Sequence, residues 1–340
     1  MTPDLSVIIP VYNRGPMIRY ALESVRRASA GLEVETIVVD DGSEPPTAGV
    51  LSELGFAPSL LVRQANQGLL YARLAGLGRA AGRHVVFLDS DDLVSADKFR
   101  LQLAAHESTG ADVSYTDFAH CILEGEYDSL RPVADPPTAD TSDATEFGIR
   151  VQPPPHSPMY EVDWLRRTVE RPFIPPSPLY NSCAEIWFYQ NGALLGGRAV
   201  RVDGPHAIVG MHPGARLTGH WERIAVGSLA VMEAFARVDA GSPVAARARQ
   251  LMAEAVFRAW RALPRDFSPE FSERLIGLWS RLGRGRTAEL GGRGFRALSG
   301  LLGPLHAARM LHRWQASPYA ASRTMTDAEL VELLGALPPP

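Results

Sequence analysis

The sequence predicts an α/β fold, a mostly parallel sheet with helices on both faces, followed by a C-terminal helical region. Three observations predict it. Short β-branched runs alternate with helical patterns through about the first 115 residues, each run closes in polar turn residues, and from about Glu222 apolar residues recur at helical spacing. In parallel sheets ligands bind beyond the carboxyl ends of the strands, so the residues that close each run are the first candidates for function.

The first run, Leu5 to Asn13, reads as a buried strand opening into a polar turn, and the spacing of Ile18, Ala21, Leu22 and Val25 predicts a helix over residues 17–27. Val34 to Val39 is a second strand, closed by Asp40-Asp41-Gly42-Ser43, and Ser59 to Val62 is a third. Asn66-Gln67-Gly68 is a loop in which Gly permits a positive φ. The helix after it carries Arg73 on a face otherwise made of Leu, Ala and Gly. His84 to Leu88 is the fourth strand, and Asp89-Ser90-Asp91 stands at its end. Paired carboxylates where a buried strand opens into a loop suit a hard cation, Mg²⁺ or Mn²⁺, bound through one or two carboxylates plus substrate phosphates. Acidic residues after a strand also serve as turn formers and helix caps.

Taken together, SVIIPVYNR, IVVDDGS, NQGLLYARLAGLGRAAG and HVVFLDSDD, in this order and at this spacing, resemble the family 2 glycosyltransferases of the GT-A fold over about residues 4–120. The resemblance implies a metal-dependent, inverting transferase that uses a sugar nucleotide. It assigns the base and ribose to Pro10, Tyr12, Asn13 and Asp41, and places Arg73 near the base or diphosphate. Asp91 becomes the metal ligand, Asp89 faces the ribose or the metal shell, Ser90 joins the substrate contacts, and Asp92 backs the ligands.

Structural alternatives stand beside these roles. Asp40 and Asp41 can cap the helix after Pro45-Pro46. Arg73 can be solvated, although its fork geometry suits a diphosphate. Gly76-Leu77-Gly78-Arg79-Ala80-Ala81 has the spelling of a dinucleotide fingerprint but precedes a strand instead of following one, which rejects it. A nucleotidyltransferase on a similar sheet normally needs a Gly-rich basic loop straight after the first strand, where this chain offers only Gly15.

Ala111 to Tyr115 is a further strand, and residues 131–158, rich in Pro, Asp and Thr, show no periodicity. A loop of that length inside a compact domain is either functional or disordered, and the resemblance places it in an acceptor-binding half. Residues 160–168 read as helix, Pro172 to Pro178 as a turn, and Cys183 to Leu195 as another helix. Family 2 enzymes carry an acidic pair ahead of an aromatic helix here, whereas this chain has Ala184-Glu185-Ile186-Trp187-Phe188-Tyr189, with one acid missing. By that register Glu185 is the candidate base, taking the acceptor hydroxyl proton as the nucleophile attacks the anomeric carbon. The alternative is a Glu that only favours the helix N-terminal dipole. The missing acid also keeps open a sugar-nucleotide-binding protein of the same fold without turnover. Arg201 to Gly204 and Ala207 to Val209 read as strands of a small β element that ends at Met211 to Thr218. There the resemblance brings His212 to the metal, as a third ligand, or to the diphosphate as a donor; a His in a Pro-Gly turn can also have no role. The usual Arg two residues earlier is Gly210.

The expected organisation is a nucleotide-sugar-binding half (1–117), an acceptor-binding half (118–221) and a helical region (222–340). With 340 residues, 46% of them hydrophobic, the chain can build two or three packed units. A net charge of −4 excludes a nucleic-acid binder driven by a global basic field. Cys121 and Cys183 show neither metal nor disulfide spacing, so a reducing cytoplasm is the expected compartment. Neither a signal-peptide pattern nor a run of about 18 apolar residues is expected to direct or anchor the chain. Lys98 is the only Lys, and with the Arg, Ala, Gly and Pro usage this points to a GC-rich bacterial genome. Charge is uneven: residues 221–340 hold 16 Arg against 11 acids, and residues 1–220 hold 18 basic residues against 27 acids. Arg281, Arg284, Arg286, Arg293 and Arg296, interleaved with Leu282, Leu290, Phe295 and Leu298, form a basic amphipathic stretch. Such a stretch can rest on an anionic membrane at the inner face, or form a solvated face packed on the acidic catalytic half or in a homodimer. The expected partners are a nucleoside diphosphate sugar, a UDP-sugar first, and a glycan, lipid-linked or small-molecule acceptor. Pro338 to Pro340 read as a frayed tail.

Overall fold

Strand β1 (Leu5–Val11) is buried along its whole length, as the central strand of a parallel sheet covered on both faces must be. It belongs to a computed structural model that describes residues 2–15, 17–214, 219–287 and 290–338, with the backbone alone at 313–315. The chain divides into two compact units, residues 1–215 and 216–340.

In the first unit β1 is followed by α1 (Ile18–Ala28), β2 (Val34–Asp40), α2 (Thr47–Glu53), β3 (Leu60–Arg63), α3 (Leu69–Leu77), β4 (His84–Phe87), β5 (Leu93–Val94), α4 (Lys98–Thr109) and β6 (Val113–Ile122). Then come β7 (Val133–Ala134), the single turn α5 (Ala144–Glu146), β8 (Met159–Glu161), α6 (Val162–Glu170), α7 (Ala184–Leu195) and β9 (Ala199–Met211). The sheet order is β3-β2-β1-β4-β8-β6-β9-β5, with β7 paired to β6. The strands β3, β2, β1 and β4 are parallel, which sets their carboxyl ends in one row. Val7, Ile9 and Val11 of β1 pack with Ile18, Leu22 and Val25 of α1 and with Phe99 of α4 in one core cluster.

The structure departs from the sequence reading in two places. Tyr160 and Glu161 lie in β8, inserted antiparallel between β4 and β6, and α6 starts only at Val162, where the Glu161 carboxylate accepts the Trp164 N–H at 2.6 Å. A three-residue strand carries no readable period, so the helical pattern absorbed it. The two short strands expected near residues 201–209 are one long strand, β9, parallel to β6 in the main sheet. The register shifts on either side of Asp117, whose carboxylate is held by Arg201 at 2.8 and 3.0 Å and by the Gly204 N–H at 3.2 Å. Strand β6 runs without a break across residue 117, so residues on either side of it contribute to one sheet.

The second unit is helical: α8 (Trp221–Phe235), α9 (Pro243–Ala262), α10 (Pro269–Arg281), α11 (Arg293–Leu302), α12 (Pro304–Gln315) and α13 (Asp327–Gly335). Its core holds Phe257, with ring centroids of Trp279 and Phe295 at 5.2 and 6.3 Å, and the buried carboxylate of Glu233, paired with Arg274. Leu282 and Phe295, two apolar members of the basic stretch, are buried in this unit, which removes them as membrane anchors. Glu289 and residues 339–340 lie outside the described residues. Among the described residues no helix is long and apolar enough to cross a membrane.

The only Lys of the chain, Lys98, opens α4 fully buried, its Nζ donating to Gln102, which itself donates to Ser114 Oγ and the Ser157 carbonyl at 3.1 Å. Burial pulls its pKa down from 10.5 to about 7. Between those values the unfolded chain binds the proton and the folded chain does not, so stability rises with pH across that window. Lys98→Met should therefore stabilise the protein most at pH 7 and below, with an advantage over wild type that shrinks towards pH 10 in urea unfolding. An advantage independent of pH would contradict it.

Candidate active site

Turns at the carboxyl ends of β1, β2 and β4 are bound to one another by their own polar groups. Asn13, at φ 50° in the left-handed region that Asn tolerates, donates its N–H to Ser43 Oγ at 3.1 Å and accepts the Glu44 N–H at 2.8 Å. Beside it Tyr12 is half exposed, while Pro10 is buried within β1 opposite Val39. Asp40 does act as a turn and helix anchor, accepting from the Ser43 and Thr47 N–H groups at 2.8 and 3.1 Å and pairing with Arg63 at 2.9 Å. Asp41 does not cap that helix. Its buried carboxylate accepts Gln64 Nε2, the Gln67 N–H and the Gly68 N–H at 2.7, 3.0 and 2.8 Å, so both oxygens already shape the loop that leads into α3.

The same loop is gripped from the far side of the sequence. Asn181 accepts the Leu70 N–H and donates to the Gln67 carbonyl, both at 3.1 Å. Gly68 sits between them at φ 93°, where a Cβ would stand 2.0 Å from Asn181 Nδ2. Only Gly fits there.

Arg73, on α3, is buried rather than solvated. Its Nη2 donates to Asp89 Oδ1 at 2.6 Å and its Nη1 lies 3.8 Å from Glu185 Oε2. Glu185 stands in the first turn of α7, whose start is fixed by Trp187 Nε1 donating to the Ile174 carbonyl at 3.0 Å. Burial raises the Glu185 pKa above the ordinary carboxylate range, with Arg73 acting in the opposite direction. Ala184, where a second acid was expected, is fully buried. A charge there would lose its hydration and need a partner.

Asp91 and His212 meet: Asp91 Oδ2 is 2.9 Å from His212 Nε2 and 3.8 Å from Arg14 Nη2. The Gly214 N–H donates to His212 Nδ1 at 3.0 Å, so the ring hydrogen is on Nε2, facing Asp91. Gly210 replaces the expected Arg because a Cβ there would stand 2.0 Å from the Asp91 carbonyl oxygen. Of the segment Met211 to Thr218, residues 215–218 lie outside the described residues. Asp89 is drawn away to Arg73, and among the described residues no three His, Cys, Asp or Glu side chains converge as a metal cage. The expected trio of Asp91, Asp89 and His212 is thus a close pair plus one acid engaged elsewhere. One carboxylate and one imidazole on a common point still fit a divalent cation that takes its remaining oxygens from substrate phosphates and water.

A family model described as "Glycosyl transferase family 2" matches residues 6–165, the segment that holds the turns after β1, β2 and β4. Residues 6–165 are a glycosyl transferase family 2 domain. The succinoglycan biosynthesis protein ExoO of Rhizobium meliloti (strain 1021) is 34% identical over 130 residues, which is 38% of this chain and 36% of ExoO. The chain thus spans about a third of that relative's length. The structure of S. aureus TarS 1-349 in complex with UDP-GlcNAc superposes with a TM-score of 0.65 at 16% identity, over 95% of this chain and 93% of that one. The mannosyltransferase PcManGT from Pyrobaculum calidifontis, in complex with GDP-Man and Mn²⁺, reaches 0.50 at the same identity, over 92% and 88%. At such identities the likeness establishes the fold, which is the GT-A fold expected.

Within this family 2 domain and the segments around it, Asp91 meets His212 and Arg73 joins Asp89 to Glu185. Ser90 is buried between them, while Pro10 and Asp41 are taken up by the framework. Sequence reasoning missed Arg14, Asn181 and His156, whose Nδ1 lies 3.0 Å from Asp92 Oδ2. Arg14 closes the first motif and was legible as a cation one residue past the turn. A lone Asn in a Pro-rich turn and a lone His in a stretch without period give no signal.

Proposed function

We propose that this chain transfers a sugar from a nucleoside diphosphate sugar, most simply a UDP-sugar, to an acceptor hydroxyl with inversion at the anomeric carbon, using Mn²⁺ or Mg²⁺. The observation that carries the reading is the buried Arg73 bridge: it joins the Asp89 turn, where a diphosphate would lie, to Glu185, the one carboxylate in place to act as a base. Family 2 membership supports transfer, and the UDP-GlcNAc and GDP-Man complexes named for TarS and PcManGT support a sugar-nucleotide donor on this fold. In this reading Glu185 takes the hydroxyl proton on a carboxylate oxygen while the new bond forms opposite the departing diphosphate. Arg73 opposes the rise that burial imposes on the Glu185 pKa and holds Asp89 in place. Asp91 and His212 would hold the cation, His212 with its proton moved to Nδ1 and the Gly214 bond given up. Such a cation neutralises charge on the leaving group. Tyr12, half exposed at the mouth of the turn, is the residue free to stack on the base, and Asn13, Ser90 and Arg14 line the same turns.

Binding, turnover and product analysis test this. Asp91→Ala should weaken UDP binding in the presence of Mn²⁺ and leave the metal-free affinity unchanged in calorimetric titration; equal affinities with metal would refute the ligand assignment. Glu185→Gln should keep donor binding while turnover falls about 10²- to 10⁴-fold. The wild-type rate should fall on acidification through a pKa above the ordinary Glu range, because only the carboxylate form accepts the proton, and product NMR should show inversion. Donor that is bound but never hydrolysed or transferred by wild type would make the chain a binding protein.

The acceptor reading includes lipid-linked molecules. At the junction of α11 and α12, Leu301, Leu302 and Met310 are exposed, Leu301 by 82%, and residues 291–326 contain Arg293, Arg296, Arg309, Arg313 and Arg323 but no acid. Anionic vesicles should float with the protein at low salt and release it at high salt, and Leu301→Asp should reduce the bound fraction. Absence of binding at low salt would eliminate the membrane contact and leave the basic face to a homodimer.

A further inference from the structure

Behind the Asp91–His212 pair lies a second, buried pair that the proposed chemistry does not use. His156 comes from the Pro-rich segment between β7 and β8 and is fully buried. Its Nδ1 makes a close polar contact with Asp92 Oδ2, at 3.0 Å and off the line of a hydrogen bond, and neither ring nitrogen has a hydrogen-bond partner among the described residues. The other oxygen of Asp92 accepts the Gly210 N–H at 2.9 Å. Asp92 adjoins Asp91 in the chain, and Gly210 precedes His212 by two residues. The contact between these segments is already at its closest, since a Cβ at Gly210 would stand 2.0 Å from the Asp91 carbonyl.

His156 is itself held firmly. The neighbouring Ser157 accepts the Thr116 N–H at 2.9 Å and donates to the Thr116 carbonyl at 2.8 Å, while its own N–H donates to the Pro154 carbonyl at 2.8 Å. The segment is thereby pinned to β6, next to β9 in the sheet. With His156 packed 3.0 Å from one oxygen, the Asp92 carboxylate has little room to swing the other away from the Gly210 N–H, and a one-residue slip of β9 would turn its side chains to the opposite face. We propose that His156 is a positioning residue that, through Asp92 and the Gly210 N–H, fixes the end of β9 against the acidic turn and so sets the Asp91–His212 contact. The inference rests on the reading of Asp91 and His212 as the cation-holding pair, because that pair is what the strut would serve.

Amide hydrogen exchange at Gly210, together with UDP titrations with and without Mn²⁺, tests it on the full chain. In wild type the Gly210 amide should be protected. His156→Phe, which keeps the bulk and removes the polar contact, should speed its exchange about tenfold or more. The same change should weaken Mn²⁺-assisted UDP binding about 10- to 100-fold and leave metal-free binding unaltered. His156→Asn, whose amide nitrogen replaces Nδ1, should restore both, a recovery that mere loss of packing would not show. Unchanged exchange in His156→Phe, or a Gly210 amide unprotected in wild type, overturns the positioning role whatever the metal does. Faster exchange in a protein whose wild type ignores Mn²⁺ keeps the strut and overturns the metal reading instead. If the Phe variant does not fold, the wild-type imidazole decides by NMR: Nδ1 should carry a proton towards Asp92, and a bare Nδ1 overturns the proposal.

Discussion

The guanidinium of Arg73 is the interaction on which the site depends. It is 1% exposed, it cannot shed its charge, and one of its nitrogens, Nε, has no acceptor among the described residues. Such a group is tolerable in the interior only because Asp89 and Glu185 stand beside it, and stripping a buried pair of one partner costs about 3–5 kcal/mol. The three side chains come from α3, from the turn after β4 and from the first turn of α7, so the charge balance of one Arg dictates where three elements meet. Electrostatics and packing reinforce each other there, with Phe87 at 5.7 Å from the guanidinium carbon and Trp187 closing α7 from behind.

Around that bridge the framework is built from polar residues that bond to backbone rather than to ligand. Asp40, Asp41, Asn13 and Asn181 all spend side-chain oxygens on N–H groups of neighbouring turns. Turn backbone has no ladder to satisfy it, so these bonds supply what the strands supply for themselves. They also make the loop ends rigid, and rigid loop ends are what a binding surface at the edge of a sheet requires.

What could be read from the sequence follows the range of the interactions. The first four strands of the sheet were legible because Val, Ile and Leu runs closed by Asn or Asp are local signals. The proximity of Asp91 to His212 was legible only through resemblance, since the residues lie in strand-end turns far apart in sequence. The fate of Asp89 was not legible: its commitment to Arg73 depends on how α3 packs on the sheet. Gly210 looked like a lost Arg until the approach of the Asp91 carbonyl showed there was no space for any side chain. The strand β9 was split in the reading because Gly204-Pro205 looks like a break, whereas the fold absorbs it as a bulge pinned by Asp117.

The burial of Lys98 reaches beyond folding energetics. Since it is the only Lys in the chain and is wholly enclosed, the folded protein presents no side-chain amine to its surroundings. Reagents that acylate lysine, aldehyde cross-linkers and amine-coupled supports have no side chain to seize until α4 opens. Chemical modification at that one position is consequently a direct reporter of opening in the catalytic unit, read against a background free of other lysines.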